Sequence, residues 1–434
     1  MHGRGFTASD KEMDLTPIQR SAIRKTAWRF VPLLTAAYLF NYLDRTCIGF
    51  AALTMNKEIG LSASQFGFGA GIFFLGYTLF EIPSNLAMYR FGARRWIARI
   101  MITWGIVSAI TAFVVGPDSF YVVRFALGVA EAGFFPGITF FLAAWFPAQV
   151  RTQMLAWFLV GIPLASVVGG PLCGLLLELD GVLGIAGWKW LFVMVSLPCV
   201  PLGVMVLKLL ADSPQQAMFL TQPERDAMDA MLTAEVREKQ PKSVWAAVRD
   251  MRVLMLAVIQ FGFTLGSYGI GIWLPQIMKE YRLGNLAIGF GSAVPYVFAT
   301  AGMLACAWYV DRTGRKIVPL ALMCLLAAIG LGISVTPGSF LLAMLGLTLA
   351  LVGVTAARAV FWTIPTRFLS GVAAAGGLAF INMIGTAGGF VGPYMMGWLR
   401  ELTGSFQAGL LAMGGIMVAT TALAAALKLV VRQE

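Results

Sequence analysis

An acid and an arginine stand side by side in Tyr38-Leu39-Phe40-Asn41-Tyr42-Leu43-Asp44-Arg45-Thr46-Cys47, inside an apolar run from about Trp28 to Met55. A run of that length crosses a bilayer, which takes about 20 helical residues. Each charge near its centre costs about 2.5–3.5 kcal/mol on insertion scales, so both must face protein or a wet cavity. Neighbouring residues on a helix point about 100° apart, so Asp44 and Arg45 do not simply neutralise one another. Tyr38, Asn41 or Tyr42, and Arg45 recur at three- and four-residue spacing and form one polar stripe. Farther along, Arg124 and Glu131 lie seven residues apart, two turns on one helix face. Set against the stripe, that face would give a cavity with two acids, Asp44 and Glu131, and two guanidinium groups, Arg45 and Arg124. Burial favours the neutral carboxyl while a nearby arginine favours the charged one, so such an acid can bind and release a proton. The arginine fork binds a carboxylate bidentately. The competing reading of all four is a structural ion-pair network that braces helices.

The elements that must position these groups are membrane spans. Of 434 residues, 59% are hydrophobic and only 12% charged, with a mean hydropathy of +0.79; a soluble domain carries about 25% charged residues. We read an all-α membrane protein with twelve transmembrane helices in two six-helix halves. The expected boundaries are a tail over 1–27, a first half over 28–210, a polar connection over 211–249, a second half over 250–430 and a tail over 431–434. The connection carries Asp212-Ser213-Pro214 and a charged stretch from Glu224 to Lys242 able to hold a surface helix. Residues 1–25 are polar and mixed in charge, and the first apolar run is too long for a signal peptide. Lys and Arg concentrate in the tails and even-numbered loops, leaving Lys57, Lys189, Lys279, Arg282 and Arg400 to the odd-numbered ones. That asymmetry predicts cytoplasmic termini. It also explains the net charge of +11 without nucleic acid as a partner.

Several chemistries are disfavoured. The single histidine, His2, lies in the tail, and the five cysteines sit in apolar runs without metal-ligand spacing. The glycines at 67, 69, 71 and 76 lie on an apolar helix, not between a strand and a helix, so no phosphate loop is present. No cofactor, metal or enzyme active site is expected. In the second half Arg358 is the one ion within a span, open to function, bracing or snorkelling. Tyr268 and Trp362 read equally as cavity walls or as packing. Glu81, two residues before Pro83, reads as a conformational element or a cap.

The halves repeat one another. Tyr89-Arg90-Phe91-Gly92-Ala93-Arg94-Arg95 follows span two, and Asp311-Arg312-Thr313-Gly314-Arg315-Lys316 follows span eight. Trp145-Phe146-Pro147 with Arg151 matches Trp362-Thr363-Ile364-Pro365 with Arg367; Gly169-Gly170-Pro171 matches Gly392-Pro393. Parallel repeats of this kind mark transporters with a site between the halves. The 311–316 segment resembles the second-half loop motif of the major facilitator superfamily. In the first copy, Arg90, Gly92 and Arg94 keep the pattern, but Tyr89 replaces the usual acid and Ala93 the usual base.

Within that superfamily, Asn41-Tyr42-Leu43-Asp44-Arg45, Glu81-Ile82-Pro83-Ser84-Asn85, Gly92-Ala93-Arg94-Arg95-Trp96, Arg124-Phe125, the run from Gly128 to Gly137 and Gly389-Phe390-Val391-Gly392-Pro393 resemble the anion:cation symporter family. Its bacterial members import organic acid anions (sugar acids, tartrate, phthalate, hydroxyphenylacetate) with protons. The resemblance implies proton coupling by Asp44 and Glu131, and substrate carboxylate binding by Arg45 with Tyr42 beside it. It implies substrate hydrogen bonding by Asn382 and a monomer in the bacterial inner membrane. Arg124 is read as a charge partner of Glu131 or Asp44. The expectation is uptake of a small organic anion by proton symport with alternating access. A proton-coupled exporter or exchanger of the same fold, and a non-transporting receptor, are the alternatives.

Overall fold

Thr16 starts the first helix with a capping box: its Oγ1 accepts from the Gln19 amide at 3.3 Å, while Gln19 Oε1 accepts from the Thr16 amide at 2.8 Å, with Pro17 at the first helical position. Ser62 and Gln65 repeat the device before the second helix. The computed structural model describes residues 15–236, 249–365 and 371–431; residues 1–14, the Lys242 end of the charged stretch, Arg367 and 432–434 lie outside them.

The helices run, in order, Pro17–Glu58, Ala63–Phe91, Ala93–Phe113, Pro117–Trp145, Ala148–Leu177 and Gly187–Leu209, then Met251–Lys279, Asn285–Thr313, Ile317–Ser334, Phe340–Phe361, Gly371–Thr403 and Gln407–Val430. We number them spans one to twelve. Ten of them are long and apolar enough to cross a membrane on those criteria alone. The others are span one, which carries Asn41, Asp44 and Arg45, and the glycine-rich span eleven. At 1.5 Å per residue, the 42 residues of span one reach about 63 Å, far beyond a ~30 Å hydrocarbon core. Its first turns therefore project past the bundle, ahead of the apolar run at Trp28.

There they meet a helix of the central connection, Gln222–Val236. Glu224 accepts from Ser21 Oγ at 2.7 Å, Lys25 Nζ at 2.9 Å and the Thr221 amide at 2.9 Å. Burial acts to raise its pKa, but these donors outweigh it and hold the carboxyl down to about 2. Met228 beneath it is fully buried.

The halves meet tightly at the end of the bundle distal to the termini, where glycine removes the side chains in the way. A Cβ on Gly170 would lie 2.5 Å from the Gly289 carbonyl oxygen, and one on Gly174 would lie 3.0 Å from the Gly289 Cα. Gly67 and Gly397 of spans two and eleven would clash with the carbonyls of Pro393 and Ala63, and Gly49 of span one with that of Ile272. Glu401 seals the junction, accepting at 2.8 Å from Ser62 Oγ and at 2.9 Å from the Ser64 amide. The larger apolar cluster follows the same geometry. It runs from Ile48, Phe66 and Trp188 of the first half into Trp273 and Phe361 of the second, while the buried members of a separate cluster around Phe30, Trp104 and Trp145 come from the first half and the central connection.

Candidate functional site

The site is built where span four breaks. Its helix stops at Glu131, Ala132 turns out with ψ 134°, and Gly133 takes φ +83° before the helix resumes at Phe134. That backbone favours glycine, and a Cβ there would also sit 2.5 Å from Ser84 Oγ. The break frees a carbonyl, and Ser84 satisfies it: its hydroxyl donates to Ala132 O at 2.6 Å while accepting from Trp96 Nε1 at 3.0 Å. Glu131 is thus held at a helix end, fully buried, with its carboxylate turned to span one.

Arg45 meets it there. Its Nε donates to Glu131 Oε1 at 2.5 Å, its Nη2 completes the ion pair, and its Nη1 donates to Tyr268 Oη at 3.3 Å across the boundary between halves. The guanidinium carbon lies 5.2 Å from the centre of Phe73 and 5.0 Å from that of Tyr77, cation–π contacts that help hold a desolvated cation. Arg45 keeps 15% of its side chain exposed and Glu131 none. Asn41, buried on span one, lies beside the Glu131 carboxylate.

Asp44 faces away from Arg45, and the two acids have different hydrogen-bond partners. The 100° between neighbours turns it to the other side, between spans three and six. There its Oδ1 accepts from Ser108 Oγ and, at 3.0 Å, from Ser196 Oγ; the two serines also lie 2.7 Å apart. Asp44 is 1% exposed. Neither serine belongs to a motif, so nothing in the sequence distinguished them from other small residues in apolar helices.

Arg124 is 2% exposed, and its guanidinium lies 5.1 Å from the centre of Phe73. It makes no ion pair among the described residues, and its Nε is unpartnered. The contact partner of Glu131 is Arg45 of another helix, not the residue two turns away on its own.

Tyr42 and Tyr268 both line the partly exposed centre, where Tyr268 also sets its ring edge against Phe74 at 4.5 Å. Arg358 of span ten lies near Tyr42 of span one and 5.8 Å from the centre of Phe263. Asn382 Nδ2 donates to Glu81 Oε1 at 3.3 Å, joining spans eleven and two across the halves. Trp362 caps span ten, half-buried, with an edge contact to Phe361 instead of the Arg45 cluster.

The two loop motifs differ. Gly92 takes φ +87°, and the Asp212 carboxylate fills the space beside it, accepting from the Arg94 amide at 3.1 Å and pairing with Arg94 Nε at 3.5 Å. An acid beside this loop is thus supplied from the start of the central connection; Tyr89 itself is 82% exposed. Arg90 lies over Phe91. In the second copy Gly314 takes φ +68°, Arg312 stacks on Trp308 at 4.3 Å, the Arg315 amide donates to Thr313 Oγ1, and Lys316 Nζ donates to Thr363 O at 2.9 Å. Asp311 is exposed.

Residues 34–393 match the model of the Major Facilitator Superfamily. The chain is 48% identical to a "Putative tartrate transporter" of Agrobacterium vitis over 92% of this chain and 93% of that one. It is 39% identical to a "Quinolone resistance transporter" of Acinetobacter baumannii (92% and 93% covered) and 37% identical to the "Inner membrane transport protein RhmT" of Escherichia coli K12 (93% and 94%). Among solved structures it resembles a bacterial homologue of the lysosomal transporter Spinster in an inward-facing, occupied conformation, with TM-score 0.72, 16% identity and 96% and 97% covered. A helical bundle closed at one end over a buried Arg45–Glu131 pair, and matched in this way over most of its length, is a multi-pass transporter, and the chain belongs to the Major Facilitator Superfamily.

Proposed function

We propose that this transporter imports a small organic acid anion, tartrate or a close analogue, together with protons. The observation that carries the reading is the Arg45–Glu131 ion pair at the partly exposed centre, tied by Tyr268 to the opposite half. In the empty state Glu131 occupies the guanidinium fork and competes with any incoming carboxylate. A proton on Glu131 removes that competitor, and the fork then takes the substrate carboxylate, with Tyr42 and Tyr268 beside it. Release of the proton restores the internal pair and expels the anion. Binding and protonation thereby favour one another, which is the thermodynamic requirement of symport. Asp44, in its serine cage, is the second proton-binding group of this reading, and Arg124 the fixed charge between it and Glu131. Asn382 is assigned to the substrate side of the second half, and Trp362, capping span ten away from the Arg45 cluster, is not.

In this reading the termini are cytoplasmic, the glycine-closed end is the shut periplasmic gate, and the protein lies in the inner membrane of a bacterium. The halves 28–210 and 250–430 rock as bodies about the centre, and the unit is a monomer. The quinolone-resistance relative favours one other reading, proton-driven export. Purified protein in liposomes with an inward proton gradient separates the two. Import predicts protonophore-sensitive accumulation of radiolabelled tartrate, galactonate, phthalate or hydroxyphenylacetate. Accumulation of none of these, with proton-driven movement of quinolones, would overturn it.

A further inference from the structure

Among the described residues of the second half, Arg358 of span ten is a partly buried charge with no acid beside it, whereas Arg252 and Arg400 pair with Asp250 and Glu280. Every acid of the interior that could do so is engaged elsewhere. Glu131 holds Arg45, Asp44 sits between Ser108 and Ser196, and Glu81 accepts from Asn382. Among the described residues no carboxylate lies within ion-pair distance of Arg358. The group near it is Tyr42 of span one, and its aromatic support is Phe263 at 5.8 Å. It is half-buried, in the last turn of its helix. An uncompensated arginine at membrane depth is costly unless an anion or water meets it.

We infer that Arg358 is the second anion anchor of the central site, and that the site selects a short dicarboxylate over a monocarboxylate. Arg45 comes from the first half and Arg358 from the second, and both act on the Tyr42–Tyr268 pair between them. A substrate with a carboxylate at each end satisfies both forks and joins the halves through itself. A monocarboxylate satisfies one and leaves the other cation bare, and an unpaired charge in such a place disfavours that complex. The interhalf bridge also gives the dianion a direct means of drawing the halves together on binding, which Arg45 alone does not provide.

This inference rests on the anion-import reading. The test measures proton-driven uptake of tartrate and of glycerate, its shorter monocarboxylate counterpart, by the same liposomes. The wild type is expected to prefer tartrate, and Arg358→Gln to lower the tartrate-to-glycerate ratio of kcat/KM at least about tenfold, the effect of one lost charge-assisted contact. Arg358→Lys, which keeps the charge but not the fork, is expected to fall between them; it decides the matter if the glutamine variant does not yield monodisperse protein. An unchanged ratio in both variants, whether total uptake falls or not, overturns the inference while leaving anion import intact. Absence of proton-driven uptake of either anion by the wild type overturns the import reading itself, and this inference with it.

Discussion

Replacing Glu131 by Gln isolates the competition at the heart of the proposed cycle. The glutamine keeps the shape and one carbonyl oxygen for Arg45 Nε but removes the negative charge. At about 3 Å and an effective dielectric of about 20, the Coulomb attraction lost is about 5 kcal/mol gross. Most of it is offset by the desolvation the pair no longer suffers, and Tyr268 with the rings of Phe73 and Tyr77 still holds the cation. A net difference of about 1.5–3 kcal/mol, the usual worth of a hydrogen bond to a charged group, remains. The occupied fork is therefore about 10–150-fold harder for a carboxylate to enter than the vacated one. Equilibrium binding of radiolabelled tartrate to purified protein between pH 5.5 and 8 reads this directly. Wild-type affinity is expected to fall as pH rises and Glu131 loses its proton. Glu131→Gln is expected to bind at all pH values as the wild type does at the acidic end, to exchange tartrate across the membrane, and to accumulate none against a gradient. A variant whose affinity still falls with pH as in the wild type, and which still concentrates tartrate, would refute the reasoning.

Asp44→Asn keeps hydrogen-bonding capacity toward Ser108 and Ser196, so it should fold and support tartrate counterflow while losing proton-driven accumulation at least about 100-fold, the low end of proton-relay effects. Gly170→Leu places carbon 2.5 Å from Gly289 O and Ser292 Oγ; spin labels on the distal ends of spans five and eight should move apart, and an unchanged distance would discount that end as the gate. Glu224 has a depressed pKa, so its anchoring of Gln222–Val236 is complete above the usual carboxylate range and is lost only as pH falls toward about 2. Hydrogen exchange in that helix should accordingly be as protected at pH 4 as at pH 7, and Glu224→Gln should lose protection at both.

The halves and spans were legible because lipid imposes length and apolarity on each helix, and because Asp311–Lys316 repeats a turn that Gly92 had already marked. Arg45 and Glu131 were legible as expensive charges, but their pairing was not: helix spacing pointed from Glu131 to Arg124 on its own helix. The broken helix at Ala132–Gly133 turned the carboxylate toward span one instead, and the sequence signal for it was Gly133 in a run otherwise read as continuous. Ser108 and Ser196 carried no signal at all, since a serine in an apolar span is as often a packing residue as a hydrogen-bond donor. Asp212 was visible as part of a polar loop, but only the fold brings it beside Gly92.

The most direct test of proton–anion coupling loads liposomes with a pH-sensitive dye and adds tartrate outside with no pH gradient imposed. Symport through the Arg45–Glu131 site predicts acidification of the lumen on tartrate addition to wild-type vesicles and none with Glu131→Gln. Tartrate entry without a pH change in the wild type, or equal acidification in the variant, would contradict it.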